Sequence, residues 1–150
     1  MKIEIIRTNS ENPDFINLVK QLDAYLKLMD GAEHDFYNQF NNIDVLKNVV
    51  VVSVDKIAVG CGAIKKFDNT SLEVKRMFVS KDDRGKGVAQ KVLQELETWA
   101  KELGYKKCVL ETGKRQVEAV KFYQKCNYKV IKNYGQYTNM ENSICFEKAL

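Results

Sequence analysis

The sequence is 150 residues long, 45% hydrophobic and 29% charged, with a formal net charge of +4 from 24 Lys and Arg against 20 Asp and Glu. That length and balance suit one folded domain with its own core, and they exclude a disordered or low-complexity chain. The mild positive excess lacks the concentrated basicity of a dedicated nucleic-acid binder and suits a small polyanionic ligand.

In chain order, Lys2 to Arg7 carries charges among its apolar residues and reads as a first strand, not as a signal peptide; no run reaches membrane-spanning length. Asn12-Pro13 is an N-cap and first-turn signal, and Phe15, Leu18, Val19, Leu22, Leu26 and Met29 follow at helical spacing. The segment from Asp30 to Asn48 turns irregular and polar-aromatic, with Glu33, His34, Asp35, Phe36, Tyr37 and Phe40 interleaved. A loop with a short helix over a site is expected there. Val49 to Val54, Ile57 to Phe67 and Ser71 to Val79, separated by Asp55-Lys56 and Asp68-Asn69, predict an antiparallel meander.

Lys86 to Leu103 places Val88, Val92, Leu93, Leu96, Ala100 and Leu103 on one helical stripe, with Gly104 as a C-terminal cap. Lys107 to Glu111 reads as a short apolar strand and Gln116 to Cys126 as a helix ending on Asn127. Tyr128 to Tyr134 and Ser143 to Lys148 read as closing strands. The strand-helix-strand unit in the middle calls for a parallel crossover in an otherwise antiparallel sheet. The expected fold class is therefore α/β, a mixed, mostly antiparallel twisted sheet with helices on both faces.

The four cysteines, Cys61, Cys108, Cys126 and Cys145, form no CxxC pair and read as core thiols of a cytoplasmic protein. A single histidine, His34, leaves any Ser-His or Cys-His triad with one choice and argues for no metal cluster. The sharpest local feature is Arg84-Gly85-Lys86-Gly87-Val88-Ala89, after a strand and opening a helix. Small glycines there let backbone N–H groups converge where the helix dipole favours an anion such as a pyrophosphate. Neither a nucleotide P-loop nor a dinucleotide fingerprint is present.

Arg84-x-x-Gly87-x-Ala89 resembles the signature by which GNAT acetyltransferases hold the CoA pyrophosphate. Glu73-Val74-Lys75-Arg76-Met77-Phe78-Val79 is similar to that family's preceding strand. Gln116-x-x-Ala119-x-x-Phe122-Tyr123, with Tyr128 after it, is similar to its last helix. Gln116 and Asn127 depart mildly from the more usual Asn and Gly. The resemblance implies a single GNAT-like domain, with an acceptor-side segment over about 12–48 and an acetyl-CoA core over about 49–130.

It also implies acetyl-CoA as co-substrate and direct transfer in a ternary complex to a small-molecule or peptide amine. The alternative is a catalytically silent acyl-CoA sensor of the same fold. The cofactor residues it implies are Met77, Phe78, Val79, Arg84, Gly85, Lys86, Gly87, Val88, Ala89, Thr112, Gln116, Ala119, Phe122, Tyr123 and Lys125. Lys114 and Lys121 are further phosphate candidates, or plain solvated surface.

An amine attacks only when neutral, so the site needs a proton acceptor. On the resemblance that is Glu73, whose competing reading is a solvated carboxylate paired with Lys75 or Arg76; odd-numbered strand residues would share its face. Tyr123 would protonate the departing CoA thiolate, or else be a core tyrosine. Asp30, Glu33, His34 and Tyr37, with Tyr134 and Tyr137 nearby, are expected on the acceptor side, where an acidic rim would attract a cationic amine. A homodimer is compatible with the resemblance; nucleic-acid and membrane partners are not expected.

Overall fold

A computed structural model describes residues 1–38 and 46–150. Phe40 and the rest of 39–45 lie outside the described residues. The strands are β1 (Ile3–Thr8), β2 (Asn48–Val54), β3 (Ile57–Lys66), β4 (Ser71–Val79), β5 (Lys107–Gly113), β6 (Lys129–Ile131) and β7 (Ser143–Ala149). The helices are α1 (Pro13–Asp30), α2 (His34–Asn38), α3 (Val88–Glu102) and α4 (Val117–Lys125). The strands form one seven-stranded sheet in the order β1-β2-β3-β4-β5-β7-β6. Only β4 and β5 pair in parallel, as the crossover requires.

Local sequence explains most of these elements. The Asn12 side chain accepts from the Phe15 N–H at 3.1 Å, and Pro13 occupies the first turn of α1. Asp55 and Lys56 both take positive φ between β2 and β3, as a tight hairpin twisted to match its strands requires. Asn127 and Gly104 take positive φ after α4 and α3.

The pleat of β2 divides the core. Val50 and Val52 face α3 together with Val59, Leu72, Leu96 and Tyr123. Val49 and Val51 face α1 together with Phe15, Leu18 and Val19. The sheet therefore carries α1 on one face and α3 with α4 on the other, the expected mixed α/β arrangement. Among the described residues no helix is long and apolar enough to cross a membrane.

Three expectations are corrected. The strand expected over 128–134 shrinks to Lys129–Ile131. The Asn133 side-chain amide donates to the carbonyls of Tyr137, Met140 and Ser143 at 3.2, 3.1 and 3.1 Å, which folds the following residues into a loop. Next, β5 runs on to Gly113, so Thr112 belongs to a strand.

The third correction bears on the site. The register passes from Ala63↔Lys75 to Cys61↔Phe78, an extra residue in β4, and Arg76 there has φ 58°. This bulge reverses the alternation. Met77 and Val79 consequently pack on the α3 side while Glu73 and Lys75 face the other way, so Glu73 and Met77 do not share a face.

The bulged strand is held down by a close approach at Gly62. A Cβ at that position would lie 2.5 Å from Met77 Sδ and 2.9 Å from both Leu96 Cδ1 and Val92 Cγ1. Gly62→Ala is expected to destabilise the fold by about 1–3 kcal/mol through overpacking. Urea unfolding checks this: the midpoint falls with the slope unchanged, whereas an unchanged midpoint means the strand yields freely.

Candidate active site

β4 and β5 pair only from Ser71↔Lys107 to Glu73↔Val109 and then part. A cavity of about 120 Å³ opens in the fork. Val74, Lys75, Arg76 and Met77 of β4 form one wall and Glu111, Thr112 and Gly113 of β5 the other. Gln116, Ala119 and Tyr123 of α4 close one end; Leu22, Leu26 and Asp30 of α1, with Tyr37 and Tyr137, close the other. Backbone groups of a strand that has lost its neighbour need new partners, so a ligand entering the fork is offered hydrogen bonds along β4.

Beyond the end of β4 the chain reaches the glycine loop. Gly85 and Gly87 have φ 78° and 80°, a region open to them because they lack Cβ. Gly87 is the N-cap of α3 and no side chain caps that end. The first helical N–H groups are thus left for an anion, and a pyrophosphate fits this observation. Lys86 stands at the loop, 3.7 Å from Asp83. Arg84 is otherwise engaged: its Nε donates to the Val79 carbonyl at 3.0 Å and its guanidinium lies over the rings of Tyr25 and Phe78.

The residues expected from the sequence fall into groups. Met77, Thr112, Gln116, Ala119 and Tyr123 line the cavity, as do Glu73, Asp30 and Tyr37. Phe78 packs toward α1 and Val79 toward α3, so only their backbone faces the fork region. Phe122 stacks edge-on against Tyr123, and Lys125 is exposed on α4. Glu33 and His34 are not among the lining residues. Glu33 lies 3.7 Å from Arg115, and His34 Nδ1 lies 3.8 Å from Asp30.

Glu73 is buried, at 9% exposure, and not a solvated edge carboxylate. It accepts from the Tyr134 hydroxyl at 2.7 Å and lies 3.9 Å from the Lys75 ammonium. Arg76 pairs instead with Asp23 of α1.

The same cavity is lined by Glu111, which the sequence reading treated only as the end of a strand. Burial pushes its carboxyl up to about 7, the nearby Asp30 and Glu73 push the same way, and Ser143 and Lys75 oppose them. The available signal was an isolated acid at the carboxyl end of a buried parallel strand beside a switch in strand direction, the place where open α/β sheets bind ligands.

Burial also raises the Tyr123 phenol above its usual value, with Cys126 and Glu111 adding to it. Lys75 is lowered, chiefly by burial. Asp30 is raised by burial against the pull of His34 and Arg115. Burial pushes the Cys61 and Cys108 thiols up to about 12, so neither is a thiolate nucleophile at neutral pH. Among the described residues no group of His, Cys, Asp and Glu is placed to hold a metal ion.

Comparison with known proteins adds an independent line. The acetyltransferase (GNAT) family matches residues 14–128. The uncharacterized N-acetyltransferase YsnE of Bacillus subtilis is 35% identical over 98 residues, and the match spans 64% of each chain. The IAA acetyltransferase of Azospirillum brasilense is 29% identical over 99% of this chain and 98% of its own. Among solved structures, a candidate acyl-CoA N-acyltransferase from Klebsiella pneumoniae superposes with a TM-score of 0.82 at 26% identity, covering 99% of this chain and 97% of that one. With the forked strands, the uncapped glycine loop and the match over most of its length in agreement, the chain belongs to the GNAT family of acetyltransferases.

Proposed function

We propose that the protein transfers the acetyl group of acetyl-CoA directly to a primary amine held in the fork between β4 and β5, within a ternary complex. The observation that carries this reading is the convergence on one cavity of a proton acceptor, Glu111, a proton donor, Tyr123, and the free strand edge of β4. The free cysteines suit a reducing cytoplasm.

Acetyl-CoA as co-substrate supplies the activated thioester. The N–H groups at the start of α3, with Gly85 and Gly87 giving backbone access, would hold its pyrophosphate. Gln116 and Thr112 would receive the pantetheine arm. A backbone N–H near Met77 or Phe78 would donate to the acetyl oxygen, where one well-placed donor lowers the barrier by roughly 3 kcal/mol.

The amine enters from the α1 side and must lose a proton. Glu73, the base expected from the sequence, already accepts from the Tyr134 hydroxyl and lies beside Lys75, so its carboxylate is engaged within the protein. Glu111 titrates near neutral pH and is the better acceptor. Tyr123, raised by burial, stays protonated over the working range and keeps a hydrogen to give to the departing thiolate.

Thiol release from acetyl-CoA against a panel of amines tests the reading, with CoA binding measured in parallel. Amine-dependent release supports transfer. Binding without release from any amine means a silent acyl-CoA module.

Three variants sharpen this. Glu111 must be ionised to accept a proton, so kcat is expected to rise with pH through about 7. Glu111→Gln should remove that limb and lower kcat about 100-fold or more. The same raised carboxyl binds its proton more tightly folded than unfolded, so Glu111 subtracts stability as pH climbs from about 4.5 to about 7. Glu111→Gln should unfold at higher denaturant than the parent at pH 8, and an identical midpoint at all pH values would remove the buried-carboxyl assignment.

Tyr123→Phe should lower turnover at least tenfold with CoA affinity retained; unchanged turnover takes Tyr123 out of the mechanism. Gly87→Val should weaken CoA binding strongly. Space beside Gly87 is open, so the effect comes from its φ of 80° and the anion's approach to the backbone. Normal affinity would refute the pyrophosphate site.

A further inference from the structure

Tyr37 of α2, which lines the cavity, forms a buried pair with Ser143 at the start of β7. Their hydroxyl oxygens lie 2.8 Å apart, and the two residues are 7% and 2% exposed. The Ser143 backbone is fixed as well: its N–H donates to the Met140 carbonyl at 3.0 Å, and its carbonyl accepts from the Asn133 amide at 3.1 Å. A buried hydroxyl held in this way has few directions in which to send its one hydrogen.

The register of β7 on β5 supplies the direction. Ser143 stands opposite Gly113, and Cys145 opposite Glu111. Residues two apart on a strand share a face, so Ser143 and Glu111 are diagonal neighbours on one face, and Gly113 puts no side chain directly across from Ser143. A hydrogen bond from Ser143 is second only to burial among the influences on the Glu111 carboxyl and acts against it. A serine that gives its hydrogen to Glu111 must receive one from Tyr37. Burial raises the Tyr37 phenol further than its contact with Ser143 lowers it, so Tyr37 keeps its hydrogen for that role. Once Glu111 is protonated the chain can run the other way, from Glu111 to Ser143 to the Tyr37 oxygen.

We infer that Ser143, with Tyr37 behind it, is the positioning residue for Glu111, the hydroxyl pair holding that carboxyl in one orientation in both of its proton states. Ser143 does not line the cavity and acts through Glu111. The inference rests on Glu111 as the proton acceptor of the proposed transfer and says what keeps it in place.

The test is carbon-13 NMR of protein labelled at the glutamate side-chain carboxyls, with the Glu111 resonance identified by its loss in Glu111→Gln. In the parent it is expected to titrate at about 7. Ser143→Ala removes a donor that favours the ionised form, so the midpoint should move up by about one pH unit, the worth of one hydrogen bond to a charged group. Tyr37→Phe should move it the same way by less, and Ser143→Thr, which keeps the hydroxyl, should stay near the parent. The other groups that act on Glu111 or feel its charge are Asp30 of α1, Glu73 and Lys75 of β4, Tyr123 of α4, Tyr137 and Cys145. All six are common to the parent and these variants, so the shift reports the hydroxyl pair. Retained CoA binding shows that each variant folds.

A midpoint that stays or falls in Ser143→Ala overturns the inference, as does a Thr variant that shifts as far as the Ala one. Should Ser143→Ala not fold, an unmoved midpoint in Tyr37→Phe overturns it instead. Thiol release with the best amine of the panel separates this from the transfer reading, because the rising limb of kcat should move with the NMR midpoint. A midpoint that moves while the limb stays removes Glu111 as the proton acceptor and leaves the hydroxyl pair as what positions it.

Discussion

The parting of β4 from β5 is the constraint on which the rest of the molecule depends. Three residue pairs join the two strands, Ser71 to Glu73 against Lys107 to Val109, and beyond them each strand keeps only its other neighbour. A sheet interrupted at its centre gives up ladder hydrogen bonds and opens its interior, a cost that a purely structural sheet would avoid. Here the cost is confined. α3 and α4 cover one face, and α1 reaches over the other, so the gap is a closed-ended cleft rather than a split core.

The bulge at Arg76 allows β4 to serve both sides of this cleft. Before it, Glu73 and Lys75 face away from α3; after it, Met77 and Val79 face α3. A regular strand would leave the same set of residues on one face throughout. The price of the bulge is a non-glycine residue with φ 58°, held by the Arg76 ion pair to Asp23 of α1, by the Cys61 thiol against the Arg76 carbonyl, and by the close packing of Met77 over Gly62. The clamp between Arg76 and Asp23 also fixes α1 to the strand that carries Glu73. The residues that β4 presents to either face of the sheet are therefore set by one short stretch of chain.

Most of the fold was legible because it rests on local rules. The 3.6-residue stripes of α1 and α3, the β-branched run of β2, the Asn12-Pro13 start and the Asn127 stop each contain their own cause, and all are found in place. The glycine loop was legible for the same reason. What sequence could not show depends on contacts between distant residues. Asn133 reads as part of a strand until its amide meets three carbonyls of the loop ahead. Arg76 carries no glycine or asparagine signal for its bulge. A solvated carboxylate stayed open as the competing reading of Glu73 because Tyr134, its partner, lies 61 residues away.

Glu111 shows the same limit in the chemistry. Its neighbours in sequence, Leu110 and Thr112, say only that a strand is ending, whereas its state is set first by burial and then by Ser143, Asp30, Glu73 and Lys75, brought to it from two other strands and a helix. Two carboxylates facing one cavity do not share one role. Glu73 has a hydroxyl donor at 2.7 Å and an ammonium at 3.9 Å beside it. Glu111 is more exposed to desolvation than to any partner, which penalises its charge and moves its titration to neutral pH. On the proposed reading, the same burial that makes Glu111 reluctant to ionise is what would let it take up a proton from an amine near pH 7. The opening of the sheet thus creates both a cavity and the desolvated setting that raises the carboxyl of an ordinary strand glutamate.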